Sequence, residues 1–190
     1  MVRGVPQRLV GHLAGRRMTD DLVSLRILLF SGSAAERDLM RCGALAASVP
    51  VDVMEAESLA AARTKIATGD FDVVFADAAI PPADRAALVE QVRSKEQTPF
   101  VFLVAATLDE AQTMAGGGAD GVVVKPVKQN EARSLIERCA RLRLPNRVLV
   151  VDDSLTMRSI VRKILVQSRF RLEISEAQEG VEAIKQIATG

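Results

Sequence analysis

The chain has 190 residues, 48% of them apolar and 26% charged, with a mean hydropathy of +0.16, enough apolar surface for a buried core and too much for a largely disordered or fibrous chain. Its 25 basic and 24 acidic residues leave a net charge of +1, so no broad positive field draws it to nucleic acid, and direct nucleic-acid binding is not expected. The longest apolar run, residues 100–106, is far short of the about 20 residues a membrane-spanning helix needs. No apolar segment follows Arg16-Arg17 to make an export signal, and a cytoplasmic location is expected.

Residues 1–24 are rich in Arg and Gly without a sustained period and read as a disordered leader, within which Met18 is a plausible alternative start. His12 lies in this leader with no helical bundle around it and is given no role. Short apolar runs then predict strands over 25–30, 49–54, 71–76, 100–105 and 121–125. Between them, Leu59, Ala62 and Ile66, then Leu88 and Val92, then Ala132, Leu135, Ile136 and Cys139 recur at three- and four-residue steps, the spacing of a helix face turned to a sheet. This alternation predicts a parallel sheet with helices on both faces. Residues 116–118 predict a loop and 144–146 a short linker. Beyond the linker come a strand over 148–151, a helix with Ile160, Val161, Ile164 and Leu165 on one face, a strand near 171–175 and a helix through Val181, Ile184 and Ala188. Cys42 and Cys139 have no ligand-spaced His or Cys nearby and read as reduced structural thiols. On the first and fifth helices of one sheet face, they are placed to pack against each other.

The last segment repeats the first. A slide of 121 positions lays Arg26, Leu28, Ser33, Arg37, Arg41, Glu55, Ala56 and Ala62 on Arg147, Leu149, Ser154, Arg158, Arg162, Glu176, Ala177 and Ala183 without a gap, and the sequence Ile-Ala-Thr-Gly at 66–69 recurs at 187–190. The domain organisation expected is a leader over 1–24, a first copy over 25–143, a linker over 144–146 and the amino-terminal part of a second copy over 147–190. Some 44 residues cannot normally build an independent core.

In an open parallel sheet, ligands bind beyond the carboxyl ends of the strands. Three predicted strand ends carry polar residues: Asp152-Asp153, Asp77, and Lys125-Pro126. The run Val148-Leu149-Val150-Val151-Asp152-Asp153-Ser154-Leu155-Thr156-Met157-Arg158 resembles the opening of the chemotaxis-type receiver domains of two-component response regulators. The first copy resembles the same family over its whole length, with Asp77 followed by Pro81 matching the phosphoacceptor motif and Lys125-Pro126 matching the lysine-proline pair. Together the two matches cover residues 25–190. The resemblance implies a doubly wound, flavodoxin-like α/β fold with strand order 2-1-3-4-5, followed by the first βαβα portion of a second copy.

The resemblance further implies that Asp152 and Asp153 are ligands for Mg²⁺, a hard cation suited to carboxylate oxygens. It implies that Asp77 is a candidate phosphoacceptor and Lys125 a candidate phosphate contact. The acid pair has a simpler reading beside this one, as a cap on the helix that begins near Leu155. The first copy departs from the family's pattern. Ser31 and Gly32 stand where the second copy has Asp152 and Asp153, Val104 takes the switch-hydroxyl position and Val122 the aromatic one. The second copy has the acid pair, but the counterpart of Asp77 would fall eight residues past Gly190.

The expectation is therefore a non-enzymatic response regulator of a phosphorelay. Its first copy is a pseudo-receiver for scaffolding or homodimerisation. Its second copy, when complete, accepts phosphate with Mg²⁺ from a histidine kinase or phosphotransfer protein. Two alternatives stand beside it: an adaptor that binds protein partners independently of phosphate, and the regulatory part of an enzyme whose catalytic domain is missing.

Overall fold

The computed structural model describes residues 24–114 and 118–189. The expected leader with Met18 and His12, apart from Ser24, and the expected loop residues Gly116 and Gly117 lie outside the described residues. Strands and helices alternate as β1 (Leu25–Phe30), α1 (Ala34–Leu45), β2 (Val51–Ala56), α2 (Leu59–Thr68), β3 (Val73–Asp77), α3 (Pro82–Arg93), β4 (Phe100–Ala105), α4 (Leu108–Thr113), β5 (Gly121–Val124), α5 (Gln129–Arg141), β6 (Asn146–Val151), α6 (Leu155–Val166), β7 (Leu172–Ala177) and α7 (Gly180–Thr189). The first five strands form one parallel sheet in the order β2-β1-β3-β4-β5, the topology the sequence predicts, and β6 and β7 pair in parallel as a second sheet.

The central strands are apolar at nearly every position because both of their faces are covered. Side chains alternate across the sheet. Leu28, Phe30, Val74, Ala76, Val101 and Leu103 meet Ala62, Ile66, Leu88 and Val92 on one face. Ile27, Leu29, Val73, Phe75, Phe100 and Phe102 meet Met40, Ala44, Leu135, Ile136 and Cys139 on the other. Residues such as Leu28, Phe75 and Ile136 are fully buried, each worth about 1.5–3 kcal/mol of transfer free energy. Helices start where local chemistry allows it. Ser33, Ser58, Thr107 and Ser154 accept backbone N–H bonds from residues three ahead, and α3 begins at Pro82, where a missing N–H costs nothing.

Several strand boundaries differ from the periodicity, among them the starts of β2, β3 and β6 and the ends of β2, β3, β5 and β7. β2 begins at Val51 rather than 49, because β1 begins at Leu25 and pairs with it there, while the Pro50 carbonyl accepts the Leu25 N–H. β3 begins at Val73 rather than 71. Phe71 packs into the core below the strand, and the Asp72 carboxylate accepts the Arg26 N–H at 2.9 Å. β3 also continues through Asp77, which pairs with Val104 of β4. The two thiols do not pack together: Gln129 at the start of α5 donates to the Cys42 carbonyl, and Cys139 lies roughly 15 Å further along that helix at 1.5 Å per residue.

The second copy repeats the strand register and several side-chain contacts of the first. Leu25 pairs with Val51 and Asn146 with Leu172. Arg37 meets Glu55 at 3.3 Å and Arg158 meets Glu176 at 3.3 Å. Arg37 donates to the Ser31 carbonyl at 2.7 Å and Arg158 to the Asp152 carbonyl at 2.6 Å. The expected apolar face of α6 is split: Val161 and Leu165 are half-buried, whereas Ile160 and Ile164 are 46% and 63% exposed. Their counterparts in the first copy, Leu39 and Gly43, lie on α1, which packs against α5, and among the described residues the second copy has no such helix. The second sheet adjoins the amino-terminal end of the first, where Phe170 stacks near Phe100 with centroids 5.5 Å apart and Arg169 pairs with Asp120. This junction is at the opposite end of the strands from Asp77 and Lys125.

Candidate functional site

The carboxyl ends of β1, β3 and β5 bring Ser31, Asp77 and Lys125 to one edge of the sheet, around a recess of about 30 Å³, room for about two water molecules. Asp77 and Lys125, predicted from the sequence, are brought together: Lys125 Nζ is 3.7 Å from Asp77 Oδ1. The Asp77 side chain is 14% exposed and accepts the Ala79 N–H at 3.0 Å. The turn that follows is held by Arg85, which donates to the Ala78 and Ile80 carbonyls at 2.7 Å each.

The nearest partner of Lys125 is a residue the sequence reading passed over. Lys125 donates to Glu36 Oε1 at 2.9 Å, and the Ser31 hydroxyl donates to Glu36 Oε2 at 2.6 Å and faces Asp77 Oδ2 at 3.5 Å. Burial opposes ionisation of Glu36, but the Ser31 hydroxyl and the Lys125 ammonium outweigh it and hold the carboxyl below its ordinary value. Burial likewise opposes the charge on Lys125, and the Glu36 and Asp77 carboxylates outweigh it and raise its pKa. A signal for Glu36 existed in the sequence. The repeat lays it on Met157, so the first copy has a carboxylate one turn into α1 where the second has a thioether.

This donor set does not fit a divalent cation in the first copy. Ser31 and Gly32 put no carboxylate at the end of β1, and an ammonium lies between the two carboxylates that are present. Val104, opposite Asp77 in the ladder, lines the recess with a methyl surface where a hydroxyl was expected to be missing. In the second copy, Asp152 and Asp153 follow β6 directly. Asp152 Oδ1 accepts the Ser154 N–H at 2.8 Å, and Asp153 is exposed. The helix cap belongs to Ser154, whose hydroxyl accepts from Met157, so capping of α6 does not account for the acid pair. Two adjacent carboxylates at a strand end suit a hard cation, and these residues fit one. Among the described residues, no cluster of three or more metal-ligating side chains occurs, and no helix is long and apolar enough to cross a membrane.

Comparison with known proteins follows the same line. Residues 39–137 match the response regulator receiver domain. Among solved structures, the signal receiver domain of the response regulator NarL from Mycobacterium tuberculosis is 27% identical with a TM-score of 0.52, over 63% of this chain and 98% of that one. A two-component system response regulator/GGDEF domain protein is 22% identical with a TM-score of 0.53, over 87% of this chain and 66% of that one. A structure of the P1 domain of CheA3 in complex with CheY6 from R. sphaeroides gives 19% identity and a TM-score of 0.50, over 62% of this chain and 94% of that one. No curated protein sequence matches the chain significantly.

Proposed function

This chain belongs to the response regulator receiver domain family, and from that premise we propose that it is a tandem receiver of a phosphorelay whose two copies have divided the work. The first copy, residues 25–143, is a pseudo-receiver that presents a receiver surface without turning over phosphate. The second, beginning at 147, is the phosphoacceptor unit in a chain that carries the rest of its sheet. The observation that supports the division is the exchange of Asp152-Asp153 for Ser31-Gly32 at equivalent ends of β6 and β1, within matching registers.

In the second copy Asp152 and Asp153 would hold Mg²⁺, which supplies charge neutralisation for an incoming phosphoryl group when bound. Arg158 fixes the strand end that carries them through its bond to the Asp152 carbonyl. In the first copy Asp77 retains the place of the acceptor, but its nearest cation is already paired with Glu36. The partner is a histidine kinase or phosphotransfer protein in the cytoplasm, a reading in keeping with the complex of a P1 domain with a receiver named above. The alignment over 87% of the chain with a receiver/GGDEF protein extends past the first copy into the second. It favours, as a second reading, that the two copies are the regulatory part of a larger protein.

The test is intact mass spectrometry of the full chain after incubation with acetyl phosphate and Mg²⁺. No added phosphoryl group is expected. An addition that disappears in Asp77→Asn would overturn the pseudo-receiver assignment.

A further inference from the structure

Among the described residues, four helices carry a glutamate at the third helical position, where a carboxylate ordinarily reaches back to a free backbone N–H at the helix start. Three do so. Glu110 of α4 accepts the Ala106 N–H at 2.7 Å, Glu131 of α5 accepts the Val127 N–H at 3.0 Å, and Glu182 of α7 accepts the Gln178 N–H at 2.7 Å. Glu36 stands at the same position behind its cap Ser33 and turns the other way. Its two oxygens take the Lys125 ammonium at 2.9 Å and the Ser31 hydroxyl at 2.6 Å. The Ser33 N–H goes to the Ser31 Oγ at 3.1 Å, as the Ser154 N–H goes to Asp152 Oδ1 in the second copy. A carboxylate has thus left its local partner for a pair 89 residues away in the chain.

We propose that Glu36 is a built-in anion that occupies Lys125 in place of an external phosphoryl group and so keeps the first copy's recess closed to tetrahedral anions. The chemistry is a substitution of like for like: a carboxylate with two oxygens, ionised and hydrogen-bonded, neutralises the Lys125 ammonium at the end of β5. Ser31 is the second half of the device. Where the second copy has Asp152, a carboxylate would repel Glu36, whereas a hydroxyl donates to it. The exchange of Asp for Ser at the end of β1 and of Met for Glu on α1 belong together: the first removes a negative charge from the edge and the second returns one, aimed at Lys125. The Arg37 side chain beneath is committed to the Ser31 carbonyl and to Glu55 and does not compete for Glu36. The inference rests on the pseudo-receiver reading of the first copy.

The experiment is a titration of the full chain and of Glu36→Gln with inorganic phosphate, followed by residue-resolved amide NMR at Ala79, Val104 and Lys125. Glutamine keeps the shape and the Ser31 bond and removes the charge. The expected result is phosphate-dependent shifts at these amides in E36Q at a concentration at least tenfold below any that perturbs the native chain. Equal responses in the two proteins, or none in either, would overturn the proposal. Should E36Q fail to fold, the native chain still decides. A slowly exchanging Lys125 ammonium resonance is expected from its pairing, and a freely exchanging one would overturn it. Phosphorylation of native Asp77 would instead overturn the underlying pseudo-receiver reading, a separate outcome in a separate assay.

Discussion

Gly43→Ala tests the architecture that holds the site, because the backbones of α1 and α5 approach each other closely at this position. A Cβ on Gly43 would stand 2.6 Å from the Ala132 Cβ, 2.7 Å from the Arg133 N and 2.8 Å from the Ala132 carbonyl carbon, against roughly 3.5–4.0 Å for unstrained carbon contacts. Two of these three atoms are backbone and cannot turn aside, so the helices must separate by about 1 Å. Overpacking of this kind costs about 3 kcal/mol at its upper range. Replacing a glycine in the last turn of α1 returns at most about 1 kcal/mol of propensity, leaving a net loss of about 2 kcal/mol. For a chain of this size that lowers the midpoint of thermal unfolding by about 4–8 °C. With no Trp or Tyr in the chain, far-UV circular dichroism is the suitable probe. Gly32→Ala is the control, since a Cβ there meets nothing within 4 Å, and it should change stability by less than about 0.5 kcal/mol. An alanine at 43 that leaves the midpoint unchanged or raises it would refute the close-approach argument. Because α1 carries Glu36 and α5 follows Lys125, the same substitution should also weaken their pair.

Two further outcomes are expected. Glu36 titrates below its ordinary value of 4.5 when folded, so its pairing adds stability above that pH and loses it as the pH falls through the lowered value. Lys125 titrates above 10.5, so its contribution is full below that pH and is lost as the pH rises through the raised one. Urea midpoints of the native chain should therefore fall on acidification more steeply than those of E36Q, and parallel curves would contradict the pairing. Burial pushes the Cys139 thiol up to about 12. A thiol reagent on the folded chain should label Cys42, which is half-exposed, and reach Cys139 on unfolding. Equal labelling of both in the folded state, read by peptide mass, would show that α5 is not seated as described.

Much of the fold was legible in the sequence because its signals are local. The runs at Leu25–Phe30, apolar but for Arg26, and at Phe100–Ala105 mark β1 and β4 to the residue, since a strand covered on both faces has few or no polar positions. The stripes Ala62 and Ile66, Leu88 and Val92, and Leu135, Ile136 and Cys139 are the buried faces of α2, α3 and α5. The self-similarity at 121 positions carried even the pairing register of the second copy, and the strand-end positions of Asp77 and Lys125 followed from the same periodicity.

What only the tertiary structure decided are relations between distant residues whose local patterns point elsewhere. By local rules Glu36 is a helix-cap glutamate, as Glu110 is; its turn toward Lys125 depends on Ser31 and on the end of β5 arriving beside α1. Gly43 reads as a weak spot in a helix until α5 is found against it. Ile164 has the spacing of a core residue and is exposed, because burial belongs to the surfaces that meet and not to the residue. Periodicity fixes which face of an element is apolar. Which charges and which backbones then come within 3 Å of one another is set by how the packed layers close, and in this chain that closure places Glu36 on Lys125.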